Sequence, residues 1–515
     1  MKPGTPSELC EEFRFQWTSL NVTSLPIGTL IDTNENALPV GVLGKLDQDQ
    51  SPTERPQTVR RKNSEIQARV NGQLSVRFTG RGLTSYAGLE LLRAYLQQIG
   101  FSRRLRQQLQ GVAPVGDFST PAMVALIIAM LVVGGSRLRH VGHLLGDPVV
   151  QRFCSLAVLP TARTLSRWLG RCKRVVRSAL LTFNAELIGD TIRPLDLRRL
   201  TVDVDGTVIS TGLQVERAFR GFNPHRRKVP SYYPITAHLA QTGHLLRVQN
   251  RSGNVHDGKG SPPFFRDLCR QLDDLAPKAL IEFRLDGAFF RREIIIWLER
   301  RTEYTIKVPF YHWVGLKKLV EERKRWNHVR PGLDGFTADV WIKSWKRYVH
   351  VAIYRKKVAH KTKKNFQLDL FDPSDGHWEY SAIATNKDLS LKFLWDFMAG
   401  RGSHEKVLAE LKTGYAFDTV PTQNYAANST WQILSMLAHN VVTNFQIETG
   451  AQKRGRTTKR SPLYLLKSIR SLRYELFNKA GIVQRPAGRA TLTLARNMPT
   501  RKLFERVGSF LARAA

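Results

Sequence analysis

The run Leu200-Thr201-Val202-Asp203-Val204-Asp205-Gly206-Thr207-Val208 decides how this chain folds. Its apolar residues alternate with Thr201, Asp203 and Asp205. That is the period of a strand, and it places both carboxylates on one face. The run breaks at Gly206, a residue that permits a turn or bulge. A strand ending in acid, Gly and Thr presents a carboxylate at its edge. Two like charges about 4 Å apart cost about 4 kcal/mol at an effective dielectric of about 20, and a cation placed there removes that cost. The bland alternative is that one Asp faces solvent while the other caps the turn.

A second stretch, Ile281-Glu282-Phe283-Arg284-Leu285-Asp286-Gly287-Ala288-Phe289, repeats the logic. Ile281, Phe283 and Leu285 share a side, Asp286 ends the strand before a Gly, and a helix follows with Ile294, Ile295, Ile296 and Leu298. The chain therefore twice builds an apolar strand that ends in Asp-Gly. Between the two, Tyr232–Leu239 and Leu245–Val248 read as paired strands. Gly253–Gly258 reads as a loop, with His256 and Asp257 as turn residues or as metal contacts.

Composition narrows the class. A chain of 515 residues is long enough for two to four domains and a sizeable core. Its 42% hydrophobic and 24% charged content is that of a globular protein. Lys and Arg number 79 against 43 Asp and Glu, a net charge of +36. Self-repulsion on that scale calls for a polyanionic partner, nucleic acid first and an anionic membrane surface second. The 25 Phe, 13 Tyr and 10 Trp exclude a disordered basic tail. Cys10, Cys154, Cys172 and Cys269 form no Cys-x-x-Cys pair, so no zinc ribbon is expected; their scatter fits buried thiols in a reducing cytosol. The longest apolar run, Ala122–Val133, falls short of the roughly 18 to 20 residues of a membrane helix and is expected to be a buried core helix. Glu8, Glu11 and Glu12 stand where a secretory signal would need an apolar segment.

The chain divides by pattern. Residues 1–65 form a polar leader or linker, with Pro52 and Pro56 in a polar stretch. Residues 66–195 are helical. There Ser85 is expected to cap a helix bearing Leu89, Leu92 and Leu96, and Ser119-Thr120-Pro121 to start the apolar one. In the helix that follows Pro160, Leu165, Trp168, Leu169 and Cys172 share a face, and Arg163, Arg167 and Arg171 occupy another. That basic face meets DNA as a recognition helix does, or is simply solvated. Residues 196–300 hold the two Asp-ending strands, and 301–388 are rich in strand formers, with a hairpin at Val340–Trp345 and Tyr348–Tyr354. Lys343, Lys346, Arg347, Arg355, Lys356 and Lys357 interleave there with aromatics. That pattern suits phosphate contact and base stacking, or a plain sheet with solvated Lys. Residues 389–450 return to helix, where Glu405 and Lys412 share a face with Leu408. Residues 451–515 form a basic C-terminal region that opens with the run Lys453–Arg460.

Three carboxylates stand out: Asp205, Asp286 and Glu405. Two divalent metals about 3.5 to 4 Å apart need such acids on rigid elements. The chain resembles the bacterial insertion-sequence DDE transposases, in the cut-and-paste group whose signature is Tyr, Arg, Glu and Lys at fixed spacing. Arg401, Glu405 and Lys412 keep that spacing, and Met398 stands at the Tyr position. Asp205-Gly206-Thr207 and Arg284–Phe289 are similar to the family's two Asp motifs. Phe222–Arg226, Tyr232-Tyr233-Pro234, Ala426-Ala427-Asn428 and Leu437–Asn440 are similar to one branch.

The resemblance implies an α/β fold: an RNase H-like catalytic core, interrupted at 301–388 by a β-rich insertion, behind an α-helical N-terminal DNA-binding region. It implies Mg²⁺ (or Mn²⁺) held by Asp205, Asp286 and Glu405, cleavage at element ends, and transfer of the 3′-OH into target DNA. Asp203 would support those ligands or replace one. Arg401 and Lys412 would hold phosphates of the terminal nucleotides, or else form helix salt bridges. Trp341 and Trp345 are candidates to stack a flipped base. The implied setting is the bacterial cytoplasm, beside the nucleoid. The implied partners are double-stranded ends and target, met as a homodimer, and no membrane. A DNA-binding protein that has lost catalysis and a host nuclease on the same scaffold are the alternatives. A two-carboxylate glycosidase explains neither the charge nor the third acid.

Overall fold

The computed structural model describes residues 78, 82–221, 226, 228–255, 258, 260–358, 377–455 and 462–513. The polar leader 1–65, Phe222–His225, His256, Asp257 and the end of the basic run at 456–460 lie outside the described residues.

Five helices of eight residues or more come first: α1 (Leu89–Gln98), α2 (Phe101–Gln108), α3 (Thr120–Val133), α4 (Ala162–Arg171) and α5 (Arg174–Ile192). Ser119 Oγ accepts the Ala122 N–H to start α3, Pro121 sits in its first turn, and Gly134 at φ 112° ends it. Every residue of α3 is buried, so the apolar run is a core helix. Among the described residues no single helix is long and apolar enough to cross a membrane. In α4, Thr161 caps the helix through the Thr164 N–H, and Leu165, Trp168 and Leu169 are buried. Arg163, Arg167 and Arg171 are exposed. The start of α1 differs from expectation. Its first turn follows Gly88 with no side-chain cap, and Ser85 instead donates its N–H to Asp147 Oδ2 at 3.2 Å. Asp147 is a charged acceptor already capping Pro148–Cys154, and it also takes the Thr84 hydroxyl at 2.9 Å. Gly88 is needed for another reason: a Cβ there would lie 1.9 Å from the Leu476 carbonyl oxygen.

The large sheet has nine strands: β1 (Arg199–Gly206), β2 (Ile235–Leu239), β3 (Leu245–Gln249), β4 (Leu280–Leu285), β5 (Glu303–Lys307), β6 (Asn327–Arg330), β7 (Leu333–Ile342), β8 (Arg347–Lys357) and β9 (Trp378–Thr385). Their order is β3-β2-β1-β4-β5-β9-β8-β7-β6. The β1–β4 and β4–β5 pairs are parallel, and all the others are antiparallel. The β-rich block does not stand apart: β9 pairs with β5, so the antiparallel strands extend the same sheet. Leu200, Val202 and Val204 face a core with Phe283, Leu285 and two helices, α6 (Pro262–Leu275) and α7 (Arg292–Glu299), through Phe265, Leu268 and Ile295. The alternate residues Thr201, Asp203, Glu282, Arg284 and Thr305 form a buried polar face.

That polar face is covered by α8 (Leu391–Ala399) and α9 (Gly402–Tyr415), followed by α10 (Tyr425–Glu448). Asn424 caps α10 through the Ala427 N–H. The long helix packs on α3, α4, α5 and β3. Asn440 ties three of these elements together. It donates to Asn184 Oδ1 at 2.7 Å and to the Leu245 carbonyl at 2.8 Å, and accepts the Leu245 N–H at 2.9 Å. The last region returns to the first: a hairpin of Gly481–Gln484 and Thr491–Leu494 pairs with Leu83–Thr84, and α11 (Met498–Arg513) lies against α1.

Candidate active site

The register of β1 against β4 builds the site. Asp203 lies opposite Arg284, and Val204 opposite Leu285. The next residues, Asp205 and Asp286, therefore leave the carboxyl ends of neighbouring parallel strands side by side. The carboxyl ends of such strands are where open α/β sheets hold ligands.

The two aspartates of β1 have different partners. Asp203 is fully buried and receives a bidentate fork from Arg284, Nε to Oδ1 at 2.5 Å and Nη2 to Oδ2 at 2.7 Å. Arg284 Nη1 also donates to the Phe397 carbonyl at 3.1 Å, which fastens α8 to the sheet. On its other flank Asp203 meets His238, 3.5 Å from Oδ2. The expected supporting or alternate ligand is thus an ion-pair partner in the interior. Asp205, one pleat further, is 20% exposed. Its Oδ1 accepts the Gly206 N–H at 2.8 Å and its Oδ2 accepts from Arg401 Nη2 at 2.7 Å. Asp286 is 41% exposed, and its Oδ2 lies 3.8 Å from the same nitrogen.

Arg401 stands just before α9 and is 16% exposed. Burial works against its charge, but the field of Asp205, Asp286, Asp203 and Glu405 outweighs it and raises the guanidinium above its ordinary pKa. Its Nε is buried with no hydrogen-bond acceptor among the described residues. The helix salt bridge that spacing allowed is replaced by a bridge to the two sheet acids. Lys412, further along α9, donates to the Val208 carbonyl at 3.4 Å. Burial pushes its ammonium below the ordinary lysine value, against the pull of Asp418 and Asp205.

Glu405 is an exposed residue in the first turn of α9. It does not close on the two aspartates: among the described residues no three His, Cys, Asp or Glu side chains are gathered to hold an ion. Its neighbour His404 anchors that turn to β2, with Nε2 3.2 Å from Thr236 Oγ1 and Nδ1 2.8 Å from His238 Nδ1. Thr236 is the register partner of Asp205. Burial holds both imidazoles well below their ordinary pKa, hence neutral. Sequence reasoning missed Arg284, His238 and His404. For Arg284 a signal existed: it is a charge at an alternate position of an apolar strand.

The other expected contacts are spread out. Trp341 on β7 is 50% exposed and leans on its cross-strand partner Tyr348, ring centroids 4.9 Å apart. Trp345 is not offered for stacking. It is 9% exposed, because the turn Lys343–Trp345 folds its ring onto Phe290 at 4.9 Å and Trp313 at 5.6 Å. Met398 lines a cavity of about 280 Å³ with Lys307, Lys356, Ser381 and Trp395. Arg167 and Arg171 border another, about 560 Å³, with Phe118, Thr164 and Trp168.

A family described as Transposase DDE domain group 1 matches residues 66–515. The chain belongs to that family. No curated protein matches it. Among solved structures, the piggyBac transposase in a synaptic complex with hairpin DNA, determined by cryo-EM, is similar over 77% of this chain and 82% of that one. The identity is 11% and the TM-score 0.38. DDE transposases generally use divalent metal ions. Asp205 and Asp286 of this DDE chain suit such an ion: both are hard oxygen donors, and both already aim one oxygen at a single cationic nitrogen.

Proposed function

We propose that this chain is a metal-dependent DNA transposase that cleaves at the ends of its mobile element and joins the freed 3′-OH to target DNA. The observation that carries the reading is the pairing of Asp205 and Asp286 at the ends of adjacent parallel strands, bridged by one cation. The strand order β3-β2-β1-β4-β5, with β2 antiparallel and β4 and β5 parallel to their neighbours, supports an RNase H-like core extended by a β-rich insertion. Asp205, Asp286 and Glu405 would hold Mg²⁺ or Mn²⁺, which would supply charge to activate a water or 3′-hydroxyl and to stabilise the leaving oxygen. In this reading α9 brings Glu405 the rest of the way when DNA is engaged. Arg401 and Lys412 hold phosphates, and the basic face of α4, with Arg163, Arg167 and Arg171, grips duplex DNA. Trp341 stacks a base from the hairpin tip. The working form is a homodimer on the element's two ends, in the bacterial cytoplasm.

The test is a cleavage assay with Mg²⁺ on a duplex carrying the element's ends. Asp205→Asn, Asp286→Asn and Glu405→Gln are each expected to abolish nicking and to leave DNA binding largely intact. Nicking retained by any of the three removes that residue from the site. A second reading, a DNA-binding protein without catalysis, is favoured by the exposed position of Glu405 and by the arginine that already bridges both aspartates. It predicts no nicking by the unaltered chain with either metal. A host nuclease on the same scaffold would nick without strand transfer.

A further inference from the structure

We infer that Arg401 is a built-in counter-cation: it keeps divalent ions from the Asp205–Asp286 pair until a DNA phosphate draws its guanidinium away, so that metal loading and DNA engagement are coupled. The inference rests on the reading of those aspartates as metal carriers.

The geometry is that of an occupied cation site. One nitrogen, Nη2, lies 2.7 Å from Asp205 Oδ2 and 3.8 Å from Asp286 Oδ2. Asp205 Oδ1 is turned to the Gly206 N–H. Asp203 is neutralised separately by Arg284, so its charge does not need Arg401. A divalent ion between the two aspartates would meet a guanidinium already there. A charge at this range shifts a protonation equilibrium by roughly 10- to 1,000-fold, and a metal competing for the same oxygens is expected to feel an effect of similar size.

The clamped state is also incomplete. Arg401 Nε is buried without an acceptor, and an orphaned donor of this kind is costly to keep. Arginine binds phosphate through a planar fork of two N–H groups. A DNA phosphate reaching the fork would satisfy the Nε–H together with an Nη–H, which neither aspartate does. Asp286 is the more exposed acid, so the pair is open to solvent on its side. The net charge of +36 concentrates phosphate around the molecule. Phosphate binding would thus free two carboxylates for the metal, and metal binding would in turn free the arginine for phosphate. That reciprocity is required of any such linkage.

The experiment is Mn²⁺ binding to the full chain, read from the spectrum of free Mn²⁺ by electron paramagnetic resonance, with and without a short duplex oligonucleotide. Without DNA, Arg401→Gln is expected to bind Mn²⁺ about tenfold or more tighter than the unaltered chain. Arg401→Lys keeps the charge and loses the fork, so it is expected to fall between them. With Mn²⁺ held by the duplex alone subtracted, adding the duplex is expected to tighten Mn²⁺ binding by the unaltered chain by a larger factor than binding by Arg401→Gln. Circular dichroism checks that each variant is folded. The inference is overturned if both Arg401 variants bind Mn²⁺ no tighter than the unaltered chain, or if the duplex tightens binding by Arg401→Gln as much as by the unaltered chain. Asp205→Asn separates the two levels. If it weakens Mn²⁺ binding while the Arg401 variants do not differ from the unaltered chain, only the counter-cation role fails. If it has no effect on Mn²⁺ binding, the metal-site reading fails and the inference goes with it.

Discussion

Asp203 and Asp205 sit on one face of one strand, and their partners send them to different tasks. The repulsion expected between them is met by two arginines, Arg284 for the buried acid and Arg401 for the edge acid. Neither arginine is near them in sequence: Arg284 follows Asp203 by 81 residues and Arg401 follows Asp205 by 196. Breaking a buried pair leaves an uncompensated charge inside the protein, at a typical cost of about 3 to 5 kcal/mol. Arg284→Met is expected to lower stability by that order in urea unfolding. The double variant Asp203→Asn/Arg284→Met is expected to recover part of the loss, because no lone charge remains. Strictly additive single effects would show that the fork contributes nothing. The alternation of residues 200–206 put both acids on one face, but it carried no information on which would be dry. That depends on α8 and α9 covering the polar face, which a local pattern does not contain.

At the scale of elements, amphipathic periodicity was the most informative signal. It separated the packed face of α4 from its arginines, and the structure has Trp168 buried with Arg163, Arg167 and Arg171 exposed. Changing all three to Gln is expected to reduce the slope of log affinity against log salt for duplex DNA by about 2 to 3 units, with little change in thermal stability. An unchanged slope would assign that face to solvent. Aromatics were harder to place. Trp341 and Trp345 are four residues apart in one hairpin, yet one is exposed and the other closes a core over Phe290. The strand period cannot reveal this, because Trp345 lies in the turn, where a single 3₁₀ turn and Lys346 at φ 52° redirect the chain. Ser85 does not cap because the helix begins at Leu89 behind Gly88, which leaves Ser85 three residues short of the cap position.

Across the whole molecule, the long helix α10 joins the helical half to the sheet through buried polar groups. His244 bonds Asn444 at 2.6 Å and Thr242 at 2.8 Å, while His439 packs edge-on to Tyr415. Burial pushes His244 from 6.5 down to about 3, and His439 from 6.5 to about 4. Between those values and 6.5 the unfolded chain binds more protons than the folded one, so stability falls as the solution is acidified. The stabilisation is complete above about pH 6.5 and drains away as pH falls toward 4 and then 3. Melting temperature measured from pH 8 to pH 4 should therefore fall most steeply below about 6, and His439→Gln should flatten that fall. A flat profile would show that these imidazoles are not held neutral.

By itself the sequence settled what local periodicity and composition can encode. Asp205 and Asp286 lie at the ends of apolar strands, α3 is apolar on every side and therefore buried, and Glu405 lies on a helix after the β-rich block. Only the tertiary structure decided which acids meet, which arginine neutralises each, and that the β-rich strands extend the core sheet. Those outcomes follow from register between strands and from helices laid across them, contacts made across tens to hundreds of residues. Distances of that kind are set by packing of the whole chain, and no window of sequence contains them.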